Sequence, residues 1–156
     1  EASKSVARAA CQMGLEDLLE QAPDTLSGGQ TQRLAIASEI AFDPEFLIMD
    51  DPTSQMDPVG RKEFFEWLAG CSEKTIFIVS NEVDDLCEIA DQLWVLEKGE
   101  LIASGKPLDV INQVAEGHDL YLPVVYRMAK ELGKKLPSGL FPVKLSELKG
   151  CFDDQN

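Results

Sequence analysis

The chain has 156 residues, a formal net charge of −14 and a hydrophobic content of 44%, which suffices for one core in one domain or part of one. The negative charge argues against a nucleic-acid partner, because phosphates would be repelled. No apolar run approaches the roughly 18 residues that span a membrane, and the first residues lack a secretory pattern. The four cysteines are far apart and accompany one histidine, so we expect reduced thiols and no zinc site.

The first residues predict two helices before a break. Apolar residues recur at helical spacing over residues 3–13, and Gly14 is a plausible end. A second short helix is predicted over residues 15–19, and Pro23 then interrupts the helical pattern.

The pentapeptide Leu-Ser-Gly-Gly-Gln at positions 26–30 opens a helix predicted over residues 28–42. Ser27 is predicted as its N-cap, and Gln30 completes a capping box three residues later. A helix N-terminus has free N–H groups and partial positive charge, so it can bind an anion. Gly28 and Gly29 lack the Cβ atoms that would keep a phosphate from the backbone. An ordinary capped helix after a flexible turn is the alternative.

Two apolar runs predict buried parallel strands over residues 46–50 and 75–79, each followed by a helix. The first strand ends in Asp50 and Asp51. Asp57 then stands as an N-cap before Pro58 at the first helical position. The second run precedes Asn81, which is predicted to cap the helix over residues 82–90. This alternation predicts an α/β fold with a parallel sheet.

The last third predicts a β-hairpin and short helices. Residues 93–96 and 101–103 flank a turn, and helices are predicted over 109–114 and 122–132. The second of these helices should bury Val125, Met128 and Leu132 on one face. Residues 134–150 are predicted to wrap the surface and to end in a helical turn over 145–148.

These motifs, in this order, resemble the nucleotide-binding domain of ABC-type ATPases. Residues 26–30 are identical to the LSGGQ signature, Phe46–Asp50 resembles the Walker B strand, and Ser54–Asp57 resembles the D-loop. Residues 56–61 and the tail from Leu122 are similar to ATPases of energy-coupling-factor transporters. The resemblance implies an ABC helical subdomain over 1–44, the later part of a RecA-like P-loop NTPase core over 45–115, and a small helical C-terminal extension over 116–156.

The resemblance also implies roles for the acidic strand end and the residues after it. Asp50 would hold Mg²⁺ through water, and a carboxylate solvated at the strand end is the alternative. Asp51 occupies the catalytic glutamate position and is one methylene shorter, so it is less able to reach a water at about 2.6–3.2 Å. Asn81 occupies the switch histidine position but carries no charge, and we favour helix capping as its main role. Asp57 would combine capping with a place at a subunit interface, and a helix cap alone is the alternative.

In the resembled family, two domains pair head to tail, and the signature of one completes the ATP site of the other. Ser27, Gly28 and Gly29 would contact the γ-phosphate of ATP bound by the partner, and Gln30 would support the loop. The motif G-x-x-x-x-G-K-[ST] is absent from the 156 residues. Because that loop precedes the signature in the family, the resemblance implies that this sequence corresponds to the later half of such a domain. We expect no tight ATP binding or hydrolysis by this chain alone.

The function implied is that of an ATPase subunit, with ATP and Mg²⁺ as cofactors, in an importer of vitamins or metal ions. Its partners would be membrane-embedded transporter subunits and a second ABC ATPase subunit at the cytoplasmic face of the membrane. A heterodimer is favoured, because Asp51 and Asn81 depart from the family pattern. Two alternatives remain: a non-transport ABC ATPase, and a non-catalytic regulatory or docking module.

Overall fold

The computed structural model describes residues 2–118 and 120–153, with the side chains from Ser3 onward. The structure confirms an α/β fold with a parallel strand pair, and it divides into two compact units, Glu1–Asn81 and Glu82–Asn156. Asp119 and residues 154–156, which fall in the predicted C-terminal extension, lie outside the described residues. The predicted boundaries at residues 44 and 115 remain predictions. None of the described helices combines the length and apolar character needed to cross a membrane.

The described residues of the first unit, 2–81, form three helices, two strands and two short 3₁₀ turns. The turns are Glu16–Leu18 and Pro23–Thr25, and the longer elements in chain order are α1 (Ala2–Gln12), α2 (Gly28–Ile40), β1 (Phe46–Asp50), α3 (Pro58–Ala69) and β2 (Thr75–Val79). Both strands have the predicted bounds. Helix α2 ends two residues earlier than predicted, and the short helix predicted over residues 15–19 is a 3₁₀ turn.

Helices α1 and α2 pack against each other through small and apolar side chains. The buried residues of this part are Ala9, Ala10, Met13, Leu15, Ile36, Ala37 and Ile40. Beyond this pair, helix α3 buries Phe64, Phe65 and Leu68, and the two phenylalanine rings meet edge to face with centroids 5.7 Å apart. The predicted apolar stripe of α3 is therefore confirmed.

Strands β1 and β2 are parallel and in register from Phe46 opposite Thr75 to Asp50 opposite Val79. The prediction that both faces of these strands are buried is wrong for this chain. Leu47 and Met49 are buried, whereas Phe46 is 60% exposed and Ile48 is 70% exposed. An apolar run shows that a strand suits burial, but burial also requires residues that cover both faces. Within the described residues, β2 pairs with β1 alone, so its other edge is open.

In the second unit, the part of the chain that the structure describes forms four helices and a hairpin: α4 (Val83–Ile89), β3 (Leu93–Glu97), β4 (Glu100–Gly105), α5 (Pro107–Val114), α6 (Val124–Glu131) and α7 (Leu145–Asp153). The hairpin is antiparallel, as predicted, and its turn contains Lys98 and Gly99 at positive φ. Helix α5 packs on this hairpin through Val110 and Val114, which form a small core with Ala103.

A second core in this unit joins residues that are distant in sequence. It contains Cys87, Ile111, Tyr126 and Val143, with Phe141 packed against it. The Tyr126 and Phe141 rings meet edge to face at 5.5 Å. The Asn112 side chain donates to the carbonyl oxygen of Phe141 and accepts from its N–H, both at 2.9 Å. These bonds fix the segment before α7 against helix α5.

Two predictions for the last residues are therefore wrong. Helix α6 buries Tyr126 and Ala129, whereas Met128 and Leu132 are exposed. The prediction of the buried face is wrong because apolar residues lie on more than one side of α6. The residues that pack against the buried side are distant in sequence. The segment after Lys134 does not simply wrap the surface, since Val143 is 1% exposed and belongs to the core.

Candidate functional site

The N-terminus of α2 has the predicted cap. Ser27 Oγ accepts the N–H of Gln30 at 3.3 Å, and Gln30 Oε1 accepts the N–H of Ser27 at 2.8 Å. This reciprocal pair satisfies two donors and fixes the start of the helix. The Ser27 hydroxyl uses its oxygen in this pair, so its O–H remains able to donate. In the described part of the chain, no hydrogen bond employs the N–H groups of Gly28 and Gly29, which lie in the first helical turn.

The two glycines also permit close packing on the segment Ser54–Asp57, which we call the D-loop segment. A Cβ atom built on Gly28 would lie 2.5 Å from Gln55 Oε1, and one on Gly29 would lie 2.9 Å from the Gln55 carbonyl oxygen. Both distances are shorter than real Cβ contacts. From the sequence, the two glycines are explained by access of a phosphate to the backbone. The structure adds a second reason, which is contact with the D-loop segment.

A shallow pocket of about 330 Å³ lies between the start of α2 and the D-loop segment. It is lined by Ser27, Gly28, Gly29, Gln30, Arg33, Gln55, Met56, Asp57 and Gly60. Five of these residues are sites predicted from sequence: Ser27, Gly28, Gly29, Gln30 and Asp57. Arg33 and Asp57 are the charged members of the lining. Asp57 also caps α3, as predicted, because its Oδ1 accepts the N–H of Gly60 at 2.7 Å.

Asp51 follows β1 with a left-handed backbone, at φ 45°. Its N–H donates to the Val79 carbonyl at 2.7 Å, which extends the strand pairing by one residue. Its carbonyl oxygen accepts from the Ser54 N–H at 3.2 Å and from Gln32 Nε2 at 3.1 Å. The main chain of Asp51 is therefore held by three hydrogen bonds, while its side chain is exposed.

Asp50 lies at the end of β1 on the exposed face of the strand pair. Its carboxylate is therefore exposed to solvent at the strand end, and its Mg²⁺ role stays a prediction. In the described residues there is no group of three or more His, Cys, Asp or Glu side chains that could bind a metal ion. Asp50 could supply one oxygen ligand to Mg²⁺, which commonly takes one or two carboxylates together with phosphate oxygens and water.

Asn81 does not have the capping role that the sequence favoured. The N-cap of α4 is Glu82, and no side-chain bond caps that helix. The capping prediction fails because the helix begins one residue later than expected. Asn81 is exposed, two residues after Val79, which is paired with Asp50. The strand register therefore brings Asp50, Asp51 and Asn81 to the same end of the strand pair.

Sequence analysis did not single out Gln32, Arg33 or Gln55. Gln32 bonds to three residues around the end of β1, and the other two line the pocket. One signal for Gln32 was available, because it is a polar residue within the apolar pattern of α2. The partners of these residues could not be read from sequence, since they are 19 or more residues away.

Comparison with known proteins agrees with this geometry. The family model described as ABC transporter matches residues 1–54. The energy-coupling factor transporter ATP-binding protein EcfA2 of Streptococcus pyogenes serotype M28 is 40% identical over 139 residues, which cover 86% of this chain and 50% of that protein. The homologue from serotype M5 is 39% identical over the same length. The chain thus spans about half the length of the curated relatives it matches.

Solved structures give the same result for the fold. The structure of cbiO1 from Clostridium perfringens, part of the ABC transporter complex cbiONQ, superposes with a TM-score of 0.62 and is 28% identical. The match covers 84% of this chain and 53% of cbiO1. MJ1267, an ATP-binding cassette of an ABC transporter, has a TM-score of 0.64 at 20% identity, covering 73% of this chain and 46% of that one.

The fold, the capped glycine turn and the matched segment define the class of protein. The chain is similar to the ATP-binding domains of ABC transporters in its first 54 residues and in its fold, which confirms the resemblance seen in the sequence. Within that family, its relatives include ATP-binding proteins of energy-coupling factor transporters.

Proposed function

We propose that this chain acts as the signature-bearing part of an ATPase subunit in an energy-coupling-factor importer. The subunit would lie at the cytoplasmic face of the membrane, beside membrane-embedded transporter subunits. Its transported substrate would be a vitamin or a metal ion, the class expected from the family resemblance. The relatives named above support this assignment, since their matches cover 86% and 84% of this chain.

The observation that carries the proposal is the capped N-terminus of α2. The capping box fixes the first turn, while the Ser27 O–H and the N–H groups of Gly28 and Gly29 are able to donate. Donors at a helix N-terminus, together with its partial positive charge, form a binding site for phosphate oxygens. These residues therefore fit contact with the γ-phosphate of an ATP molecule that a partner subunit binds.

Asp50 and Asp51, at the end of β1, fit a different role in ATP hydrolysis from that of the signature residues. ATP with Mg²⁺ supplies the phosphate group that is transferred to water. Asp50 is an exposed carboxylate suited to a metal-bound water, and Asp51 has its main chain fixed, so its carboxylate starts from a defined position. In a head-to-tail pair, the signature and the Walker residues of one subunit contact different ATP molecules. Asp50 and Asp51 would therefore act on the ATP that this subunit binds, and Ser27 on the ATP that the partner binds.

We also propose that the pair is a heterodimer. The signature is intact, whereas a shorter aspartate and a neutral asparagine stand where the family has glutamate and histidine. Loss of a well-placed base or charged group lowers rates by about 10²–10⁴-fold. The partner's ATP, completed by Ser27–Gln30 of this chain, would therefore account for most of the hydrolysis.

The experiment measures ATP hydrolysis by the full-length subunit assembled with its ATPase partner. Ser27→Arg introduces a long side chain at the signature and should abolish turnover, because it blocks the productive site. Asp51→Asn should lower turnover by less than about two-fold, since a slow site contributes little. Asp109→Asn, at an exposed position in helix α5, is the matched control.

Two outcomes contradict the proposal in different ways. If Asp51→Asn stops hydrolysis, Asp51 is a working base and the asymmetry is wrong. If Ser27→Arg leaves turnover unchanged, the signature does not contact ATP, and a non-catalytic docking module becomes the better interpretation. Recovery of a membrane protein with the subunit separates a transporter component from a non-transport ATPase.

A further inference from the structure

Gln32 connects two parts of the candidate site that the sequence treats as separate motifs. It lies in α2, two residues after Gln30 of the signature. Its Oε1 accepts the Gln55 N–H at 2.9 Å, and its Nε2 donates to the Asp51 carbonyl at 3.1 Å and to Ser54 Oγ at 3.2 Å. Both ends of the amide are used, so the side chain is fixed in one orientation.

Gln55 is constrained from the other side as well. Its carbonyl oxygen and its Oε1 lie so near Gly29 and Gly28 that no Cβ fits between them. The D-loop segment therefore contacts α2 through the Gln32 amide and through the glycine backbone. Two independent contacts with one rigid helix leave Gln55 little freedom to shift relative to the signature turn.

We propose that Gln32 is a positioning residue that fixes Asp51 and the D-loop segment to the signature turn, so that the two move as one body. This inference rests on the proposed function, in which the two groups of residues serve different ATP molecules. A shift of the signature turn upon contact with the partner's ATP is then passed to the main chain of Asp51, and a shift at Asp51 is passed back. Gln32 touches no reacting atom and acts through the residues it bonds.

The first experiment uses the full-length subunit and measures amide hydrogen exchange by NMR. Gln32→Ala removes all three bonds and should speed exchange of the Gln55 N–H at least ten-fold, while exchange in the centre of α3 changes little. Gln32→Glu keeps an oxygen for the Gln55 N–H but places a second oxygen opposite the Asp51 carbonyl. This variant should retain slow exchange at Gln55 and lose the bond to Asp51. Gln113→Ala, at an exposed glutamine in α5, is the matched control.

The second experiment measures steady-state hydrolysis by the full-length subunit in its assembly. The signature turn contacts the partner's ATP at the productive site, and misplacement by about 1 Å costs roughly 10²-fold in rate. Gln32→Ala, which releases that turn from the D-loop segment, should therefore lower kcat about ten- to a hundred-fold. The KM for ATP should change by less than about two-fold, because Gln32 contacts no ligand group. Gln32→Glu should also lower kcat even though its Gln55 N–H remains protected, because its second oxygen repels the Asp51 carbonyl and this displaces α2 with the signature turn. A purely structural role would instead lower kcat, protection and thermal stability together.

The outcomes separate this inference from the function on which it rests. Turnover of Gln32→Ala equal to that of Gln113→Ala, with Ser27→Arg inactive, overturns the positioning role alone. Unchanged exchange of the Gln55 N–H in Gln32→Ala overturns it also. Full activity of Ser27→Arg removes the proposed function, and the positioning role falls with it. If Gln32→Ala does not fold, the isosteric Gln32→Glu decides the question through the same two measurements.

Discussion

The packing of Gly28 and Gly29 against Gln55 predicts which of the two glycines is harder to replace by alanine. The distances alone would rank Gly28 as the more sensitive, but the nature of the contacting atoms reverses that ranking. Gly28 has the shorter approach to Gln55, 2.5 Å from a built Cβ against 2.9 Å for Gly29. The contact at Gly28 is with Oε1, the end of a flexible side chain, which can rotate away. The contact at Gly29 is with the carbonyl oxygen of the main chain. We therefore expect Gly29→Ala to be the more damaging of the two changes.

The magnitude follows from the shortfall in distance. At Gly29, the new methyl group would be about 0.5 Å nearer than ordinary van der Waals contact, which begins at 3.4 Å. Crowding of this kind costs about 1–3 kcal/mol, and replacing a helical glycine by alanine regains about 0.5–1 kcal/mol. The free energy of unfolding should therefore fall by about 0.5–2 kcal/mol in Gly29→Ala and change by less than about 0.5 kcal/mol in Gly28→Ala.

Urea denaturation of the two variants and the wild-type chain, followed by far-UV circular dichroism at low protein concentration, measures this difference. The slope of the free energy with urea should be equal in the three proteins, so that the midpoints report stability. Gly29→Ala as stable as Gly28→Ala, or more stable, would refute the packing argument. That result would mean that the D-loop segment is free to move away from α2.

Three further expectations concern other parts of the chain. The Lys74 ammonium, which bonds to Asp43 at 2.9 Å, lowers the pKa of that carboxyl below its usual 3.8. The stabilising effect of this ion pair is present at neutral pH and is lost as the pH falls through that lowered pKa. In acid titrations, Asp43→Asn should therefore lose less stability than the wild type below about pH 4. Burial raises the pKa of Cys87 to about 12, aided by nearby carboxylates, so iodoacetamide should modify exposed Cys11 in the native chain and Cys87 only after denaturation, as mass spectrometry will show. The open edge of β2 and the exposed apolar face should cause self-association; Ile48→Lys should reduce it in light scattering, and a wild-type monomer at high concentration would contradict this.

The sequence predicted the elements of the site well where local chemistry determines them. The capping box of Ser27 and Gln30, the cap at Asp57 and the strand Phe46–Asp50 have the positions expected. Each depends on residues within a few positions of one another, and a cap or an apolar run has the same consequence in most contexts. The assignment of Leu26–Gln30 to the ABC signature followed from an identical pentapeptide with the right neighbours.

The failures concern properties that depend on distant residues. Ile48 suits a buried strand but is exposed, because coverage depends on what packs above it. Tyr126 rather than Met128 faces the core, since Cys87 and Ile111 lie on that side. The bonds of Gln32 were invisible for the same reason, because a glutamine in a helix gives no sign of its partners. Even the local prediction for Asn81 failed, where a shift of one residue moved the cap to Glu82.

The backbone at Asp51 imposes a trade-off on any longer acidic side chain at this position. Its φ of 45° lies in the left-handed region, where aspartate is several-fold more common than most other side chains. Glutamate lacks the short polar side chain that eases this conformation, and a left-handed residue costs about 1–2 kcal/mol without such help. Asp51→Glu would therefore lengthen the carboxylate arm while straining the turn that Val79, Ser54 and Gln32 hold in place. At this position, a longer side chain reaches further but strains the left-handed backbone. Aspartate has the shorter reach and the lower backbone strain.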